Sequence, residues 1–151
     1  MEKLTGLKKI KTAVFISGAG SNLKNLIKFS KIKKTPISIN LVISSTYKAK
    51  GLKYADQFNI KKRGFNFHKI ESVEKKILIL LKKEKIGLIC LAGFMKILSK
   101  NFIQKFHGKI INIHPSLLPK YKGLNTHQRA IANKDKFAGC TVHYVTPKLD
   151  S

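Results

Sequence analysis

Acidic residues are scarce in this sequence: 7 Asp and Glu stand against 31 Lys and Arg, a formal net charge of +24 over 151 residues. A field of that sign draws in anions, either small anionic metabolites or nucleic acid. Arginine is nearly missing, present only as Arg63 and Arg129, so lysine carries the charge. The lysines are spread in pairs (Lys8-Lys9, Lys33-Lys34, Lys61-Lys62, Lys75-Lys76, Lys82-Lys83) without interleaved aromatics or a nucleic-acid motif. That spread fits a solvated surface, set by a lysine-, isoleucine- and asparagine-rich composition, better than a dedicated nucleic-acid face. Cysteine occurs twice, as Cys90 and Cys140, each in apolar surroundings and without CxxC or Cys/His ligand spacing. Two buried thiols are expected, rather than a disulfide or a zinc site, and no metal is assigned. No uninterrupted apolar run approaches a membrane span, and Met1 to Gly6 leads into basic residues without a secretory core. The expectation is a soluble cytoplasmic protein with no membrane partner. Internal repeats, low-complexity tracts and interdomain linkers are also missing. The length suits one domain with a substantial core, with residues 1–10 as a basic leader and 11–151 as the domain.

What is present alternates. Thr12 to Ile16 reads as a short buried strand, followed by the turn Ser17-Gly18-Ala19-Gly20 and a helix from about Ser21. Ile37 to Ile43 gives a second strand, Gly51 to Phe58 a helical pattern and Gly64 to Phe67 a third extended piece. Val73, Ile77, Leu80 and Leu81 recur at helical spacing up to about Lys85, and Leu88 to Leu91 returns as a buried strand. Phe102, Ile103 and Phe106 support a helix stopping at Gly108, with a strand from Lys109 to Ile113 behind it. Thr126 to Asn133 reads as helix and Phe137 to Val145 as a last strand. The sum is an α/β chain with a doubly wound, mainly parallel, Rossmann-like sheet.

Three segments carry chemistry. In Gly18-Ala19-Gly20-Ser21-Asn22-Leu23 the glycines permit a tight turn that exposes N–H groups at a helix start, where an anion is favoured. Leu23 stands where a dinucleotide fingerprint needs its third glycine, so a single phosphate is the better fit, and an ordinary strand-to-helix connection is the alternative. Leu91 to Leu98, Leu-Ala-Gly-Phe-Met-Lys-Ile-Leu, follows a strand and belongs at the carboxyl edge of the sheet, where it can hold a flat heterocycle or simply extend the core. In Asn112-Ile113-His114-Pro115, Pro115 ends the strand. Strand alternation then puts Asn112 and His114 on one face, an amide for a developing oxyanion beside an imidazole for a proton. The same pair can instead cap a strand end.

Taken together with the run to Gly123 and with Val142-His143-Tyr144-Val145 ahead of Leu149-Asp150, these segments resemble the phosphoribosylglycinamide formyltransferase family, folate-dependent enzymes of purine synthesis, over nearly all of the chain after residue 10. Asn-x-His-Pro-Ser-Leu-Leu-Pro is shared with other formyltetrahydrofolate enzymes, such as methionyl-tRNA formyltransferase, whereas Gly-Ser-Asn-Leu points to the glycinamide enzyme. The resemblance implies that Gly20, Ser21 and Asn22 receive the substrate phosphate. It implies a folate pocket lined by Met95, Lys96, Ile97, Leu98 and Asn112, and a catalytic set of Asn112, His114 and Asp150. It also implies 10-formyltetrahydrofolate as formyl donor, phosphoribosylglycinamide as acceptor, and no dedicated nucleic-acid partner.

The chain departs from the family pattern in two places. The segment Glu71-Ser72-Val73-Glu74 supplies no arginine for the folate region, where Lys75 or Lys76 is the candidate substitute. The sequence stops at Ser151, within the loop that carries Asp150, so the formyltransferase domain is expected to be C-terminally truncated relative to the family. Besides formyl transfer, the readings left open are an inactive homologue that still binds phosphate or folate, and a basic nucleic-acid-binding module.

Overall fold

A computed structural model describes residues 8–148. The elements alternate along the chain as β1 (Ile10–Ile16), α1 (Ser21–Ser30), β2 (Ile37–Ser44), α2 (Leu52–Gln57), β3 (Lys61–Gly64), α3 (Ile70–Lys83), β4 (Leu88–Leu91), α4 (Lys100–Lys105), β5 (Lys109–His114), α5 (Thr126–Ala132) and β6 (Thr141–Tyr144). They form one six-stranded sheet in the order β3-β2-β1-β4-β5-β6. β1 to β5 run parallel, and β6 pairs antiparallel with β5. The mainly parallel, doubly wound sheet expected from the sequence is therefore present. The strand order reverses between β1 and β4, which places the ligand-binding crevice of this architecture at their carboxyl ends.

Each face of the sheet is covered by its own helices, which is why the central strands are apolar in both directions. Ala13, Phe15, Ile89, Leu91 and Ile110 pack with Val73, Ile77 and Leu81 of α3 and Phe102 of α4. Val14, Ile16, Val42 and Cys90 pack with Leu23 and Ile27 of α1 and Ala55 of α2. A register shift between Thr12 and Ala13 leaves Asn40 of β2 without a counterpart, since Thr12 lies opposite Ile39 and Ala13 opposite Leu41. This bulge reverses the alternation within β2. Ile37 and Ile39 face α1 and α2, whereas Leu41 and Ile43 face α3.

Three expectations are corrected. The third strand lies at Lys61–Gly64 rather than 64–67: it is an edge strand whose Lys61, Lys62 and Arg63 are exposed, so it has no apolar alternation to reveal it. The last strand begins at Thr141, not at 137, and Phe137 is 81% exposed. Of the two cysteines only Cys90 is buried, on β4, while Cys140 is exposed just before β6. No described helix is long and apolar enough to cross a membrane.

Candidate active site

The turn after β1 is built by two facing glycines. Gly20 caps α1 in the left-handed conformation, at φ 78° and ψ 28°. A Cβ there would lie 2.7 Å from the Cα of Gly51, and one on Gly51 would lie 2.8 Å from the Cα of Gly20. Gly51 N–H also donates to the Gly18 carbonyl at 2.9 Å, tying the start of α2 to the turn. Intrahelical bonding in α1 begins with the Lys24 N–H on the Gly20 carbonyl. The earlier N–H groups of the first turn, those of Ser21, Asn22 and Leu23, precede the helix's own ladder. Ser21 and Asn22 are exposed, and no acidic side chain lies in that first turn. An anion fits such a helix start.

A hydroxyl joins this turn to the neighbouring strand ends. Ser17 Oγ is 2.6 Å from Ser45 Oγ beyond β2 and accepts the Met95 N–H at 2.8 Å, while Ser17 N–H donates to the Gly93 carbonyl. The carboxyl ends of β1, β2 and β4 are thereby locked together. The segment after β4 runs out from that lock. Phe94 packs edge-on between Phe15 and Phe67, with centroids at 5.4 and 5.6 Å. Met95 and Ile97 are 71% and 75% exposed, Lys96 is also exposed, and Leu98 turns into the core. At the far end Ser99 caps α4 by accepting the Phe102 N–H at 3.1 Å, and the buried Glu74 of α3 accepts from both the N–H and the hydroxyl of Ser99. Glu74 thus anchors the segment. Of the two cations considered for the folate region, Lys75 pairs with Glu71 at 3.4 Å, and Lys76 borders a cavity of about 560 Å³ with Lys62 and Arg63.

β5 delivers Asn112 and His114 next to β4. Ile110, two residues before Asn112, belongs to the α3 and α4 side of the core, so Asn112 and His114 share that face as the alternation requires. His114 is buried, and its Nε2 lies 2.8 Å from the Tyr121 carbonyl. A carbonyl oxygen only accepts, so Nε2 carries a proton there, and a proton gained or lost by the ring comes and goes at Nδ1. The loop that supplies this carbonyl is itself fastened. Ser116 Oγ donates to the Lys120 carbonyl, Thr126 Oγ1 to the Pro115 carbonyl, and Tyr121 Oη to Asp135. The Tyr121 hydroxyl beside it holds the Asp135 carboxyl below its usual range. A cavity of about 390 Å³ lies between this loop, α5 and residues 135–139, and neither Asn112 nor His114 lines it.

β6 adds a residue to which the sequence resemblance assigned no role. His143 lies directly across from Asn112 in the antiparallel ladder, and Thr141 across from His114. The Asn112 amide nitrogen is 3.4 Å from His143 Nε2. The structure therefore brings together the Gly20 turn, the start of the Met95 segment and the Asn112 and His114 pair along one carboxyl edge. Asp150 lies outside the described residues. Ser17, Gly51, Tyr121 and His143 lie in segments that the sequence singled out without a role for any of them, because the contacts each makes form only in the folded chain. Among the described residues no group of three or more His, Cys, Asp or Glu could hold a metal ion.

An open, mainly parallel sheet with an anion-ready turn at its switch point, and an amide and an imidazole at the end of a nearby strand, defines a domain of the doubly wound α/β class. The chain belongs to the formyl transferase family, whose sequence model matches residues 10–151. It is 46% identical over 143 residues to the phosphoribosylglycinamide formyltransferase of Haemophilus influenzae, an alignment covering 93% of this chain and 68% of that protein. To the human trifunctional purine biosynthetic protein adenosine-3 it is 42% identical over 148 residues, covering 95% of this chain and 15% of that protein. The crystal structure of phosphoribosylglycinamide formyltransferase from Brucella melitensis superposes with a TM-score of 0.88 at 44% identity, covering 92% of this chain and 74% of that one. The chain thus spans about 15% of the length of the human and chicken trifunctional relatives.

Proposed function

We propose that this chain transfers the formyl group of 10-formyltetrahydrofolate to the glycinamide amine of 5'-phosphoribosylglycinamide, a step of purine synthesis carried out in the cytoplasm. The observation that carries the reading is the alignment of the Gly20 turn with Asn112 and His114 along one sheet edge, in a chain of the formyl transferase family. In this reading Gly20, Ser21 and Asn22 take the phosphate on the first-turn N–H groups of α1. The exposed Met95, Lys96 and Ile97, with the backbone of Leu98, border the folate. The amine nitrogen attacks the formyl carbon, and the carbonyl electron pair moves onto oxygen, where the Asn112 amide and a protonated His114 meet it. Collapse breaks the bond between the formyl carbon and N10. The amine loses a proton and N10 gains one, with His114 Nδ1 as the ring position that exchanges protons. Asp150 is assigned the role of favouring the imidazolium and placing water for this transfer.

The test is formyl transfer from 10-formyltetrahydrofolate, measured on this chain and on Asn112→Ala. Loss of one oxyanion donor lowers turnover by about 100- to 1000-fold. An Asn112→Ala chain with near-normal turnover removes Asn112 from the chemistry. A chain with no transfer but with salt-steep RNA binding favours the nucleic-acid reading instead.

A further inference from the structure

We infer that Ser17 is a positioning residue whose side chain couples the two ligand sites, so that a phosphate held at the Gly20 turn and the formyl donor bordering the Met95 segment bind more tightly together than apart. The inference rests on the formyl-transfer reading for the identity of the two ligands, and on a clasp of two bonds for its geometry. Ser17 N–H donates to the Gly93 carbonyl at 3.1 Å, and Ser17 Oγ accepts the Met95 N–H at 2.8 Å. One residue thus holds the segment on both sides of Phe94. The main-chain pairing of β1 with β4 runs out at this point. Ala92 N–H still reaches the Phe15 carbonyl at 2.9 Å, whereas the Met95 N–H reaches a side chain.

The place of Ser17 in the chain makes its hydroxyl a link between sites. It immediately precedes Gly18-Ala19-Gly20, so whatever orders that turn also orders Ser17. Little restrains the backbone on either side of the clasp: Gly18 and Gly93 are exposed, and a Cβ on either would meet no atom within 4 Å. Among the described residues, the Met95 N–H makes the one hydrogen bond that ties residues 95–97 to the sheet. The hydroxyl is itself steadied by the buried Ser45, whose Oγ is 2.6 Å away and whose N–H donates to the Ile16 carbonyl. A ligand that fixes the turn therefore fixes the acceptor of Met95, and the second ligand meets a segment already in place. Ordering entropy is lost once instead of twice, which is positive coupling between the sites. Linkage makes the effect reciprocal.

Titration calorimetry on the full chain measures the coupling. Ribose 5-phosphate carries the phosphate without the glycinamide amine, so it occupies the turn and no formyl transfer follows. At saturation it is expected to lower the Kd of 10-formyltetrahydrofolate by about 5-fold or more, and saturating 10-formyltetrahydrofolate is expected to lower the Kd of ribose 5-phosphate by the same factor. Ser17→Ala takes the acceptor from Met95 and is expected to bring that factor to about 1, whereas Ser17→Thr returns a hydroxyl and is expected to restore it. Ser45→Ala leaves Met95 its acceptor and is expected to keep the coupling. A factor that survives Ser17→Ala, or one lost equally in Ser45→Ala, overturns the inference.

Hydrogen exchange of the Met95 N–H in the unsubstituted protein needs no variant, so it decides even where a substitution unfolds the chain. Ribose 5-phosphate alone is expected to slow that exchange, and an unchanged rate overturns the inference. The two kinds of failure are distinct. Ligands that bind independently of each other leave the formyl-transfer reading standing and remove the coupling, whereas a chain that binds neither ligand removes both.

Discussion

Gly20 and Gly51 meet backbone against backbone, each filling the space where the other's side chain would stand. Gly51 has ordinary helical dihedrals, with φ at −64°, so an alanine there is resisted by contact alone: Gly20 Cα and Ile16 Cδ1 at 2.8 Å and the Gly18 oxygen at 3.0 Å. Gly51→Ala is expected to cost about 1–3 kcal/mol through overpacking. Gly20→Ala adds the left-handed penalty of about 1–2 kcal/mol. Urea denaturation gives both values. Because the Gly20 turn must shift to admit a methyl group, KM for phosphoribosylglycinamide, the proposed substrate, is expected to rise roughly tenfold, the equivalent of about 1.4 kcal/mol. A Gly51→Ala chain with unchanged KM and stability would show that the glycine contact has no bearing on the turn.

The Ser99 hydroxyl serves two partners at once, accepting from Phe102 N–H and donating to the buried Glu74. Removing it in Ser99→Ala is expected to cost about 1 kcal/mol for the lost cap. A further cost of about 1–3 kcal/mol follows from leaving Glu74 short of a donor. The stability loss should be larger than that of Ser116→Ala, whose hydroxyl donates to the neutral Lys120 and Tyr121 carbonyls rather than to a carboxylate. Chemical denaturation of the two variants side by side checks the order, and a Ser99→Ala loss below about 0.5 kcal/mol, the range of ordinary surface substitutions, would contradict it.

Burial raises the Cys90 thiol to about 11, whereas Cys140 is exposed. Iodoacetamide at mildly alkaline pH is expected to label Cys140 on the native chain and Cys90 only after denaturation, as mass spectrometry of the digested protein would show. The linkage has a definite sign. Between the ordinary thiol value of 9.0 and about 11 the unfolded thiol ionises while the folded one does not, so stability falls as pH rises through that window. A native chain alkylated at Cys90 as fast as at Cys140 would mean that β4 opens readily.

Legibility in the sequence followed the reach of the forces involved. β4 was readable to the residue because a parallel strand buried on both faces is a short continuous apolar run. β3 was displaced because an edge strand carrying Lys61, Lys62 and Arg63 has no apolar face, and its pairing with Leu41 to Ser44 defines it instead. The start of β6 was misplaced because Phe137 looks like strand yet points to solvent. The bulge at Asn40 gave no sign, since isoleucine and leucine occupy both faces of β2. At the site, the local devices were legible: the glycine turn, and the proline that ends β5 after His114. The long-range ones were not, because Gly51 acts on Gly20, Ser17 on Met95 and His143 on Asn112 only once the sheet has assembled.

The antiparallel register of β6 sets the tolerance of the whole arrangement. A slip of one residue would place Val142 or Tyr144 opposite Asn112 and turn His143 to the opposite face. No intermediate setting exists, because main-chain hydrogen bonds admit only whole steps. The alignment of amide and imidazole is therefore quantised by the ladder. Side-chain substitutions along β6 can change what stands beside Asn112 without altering where it stands.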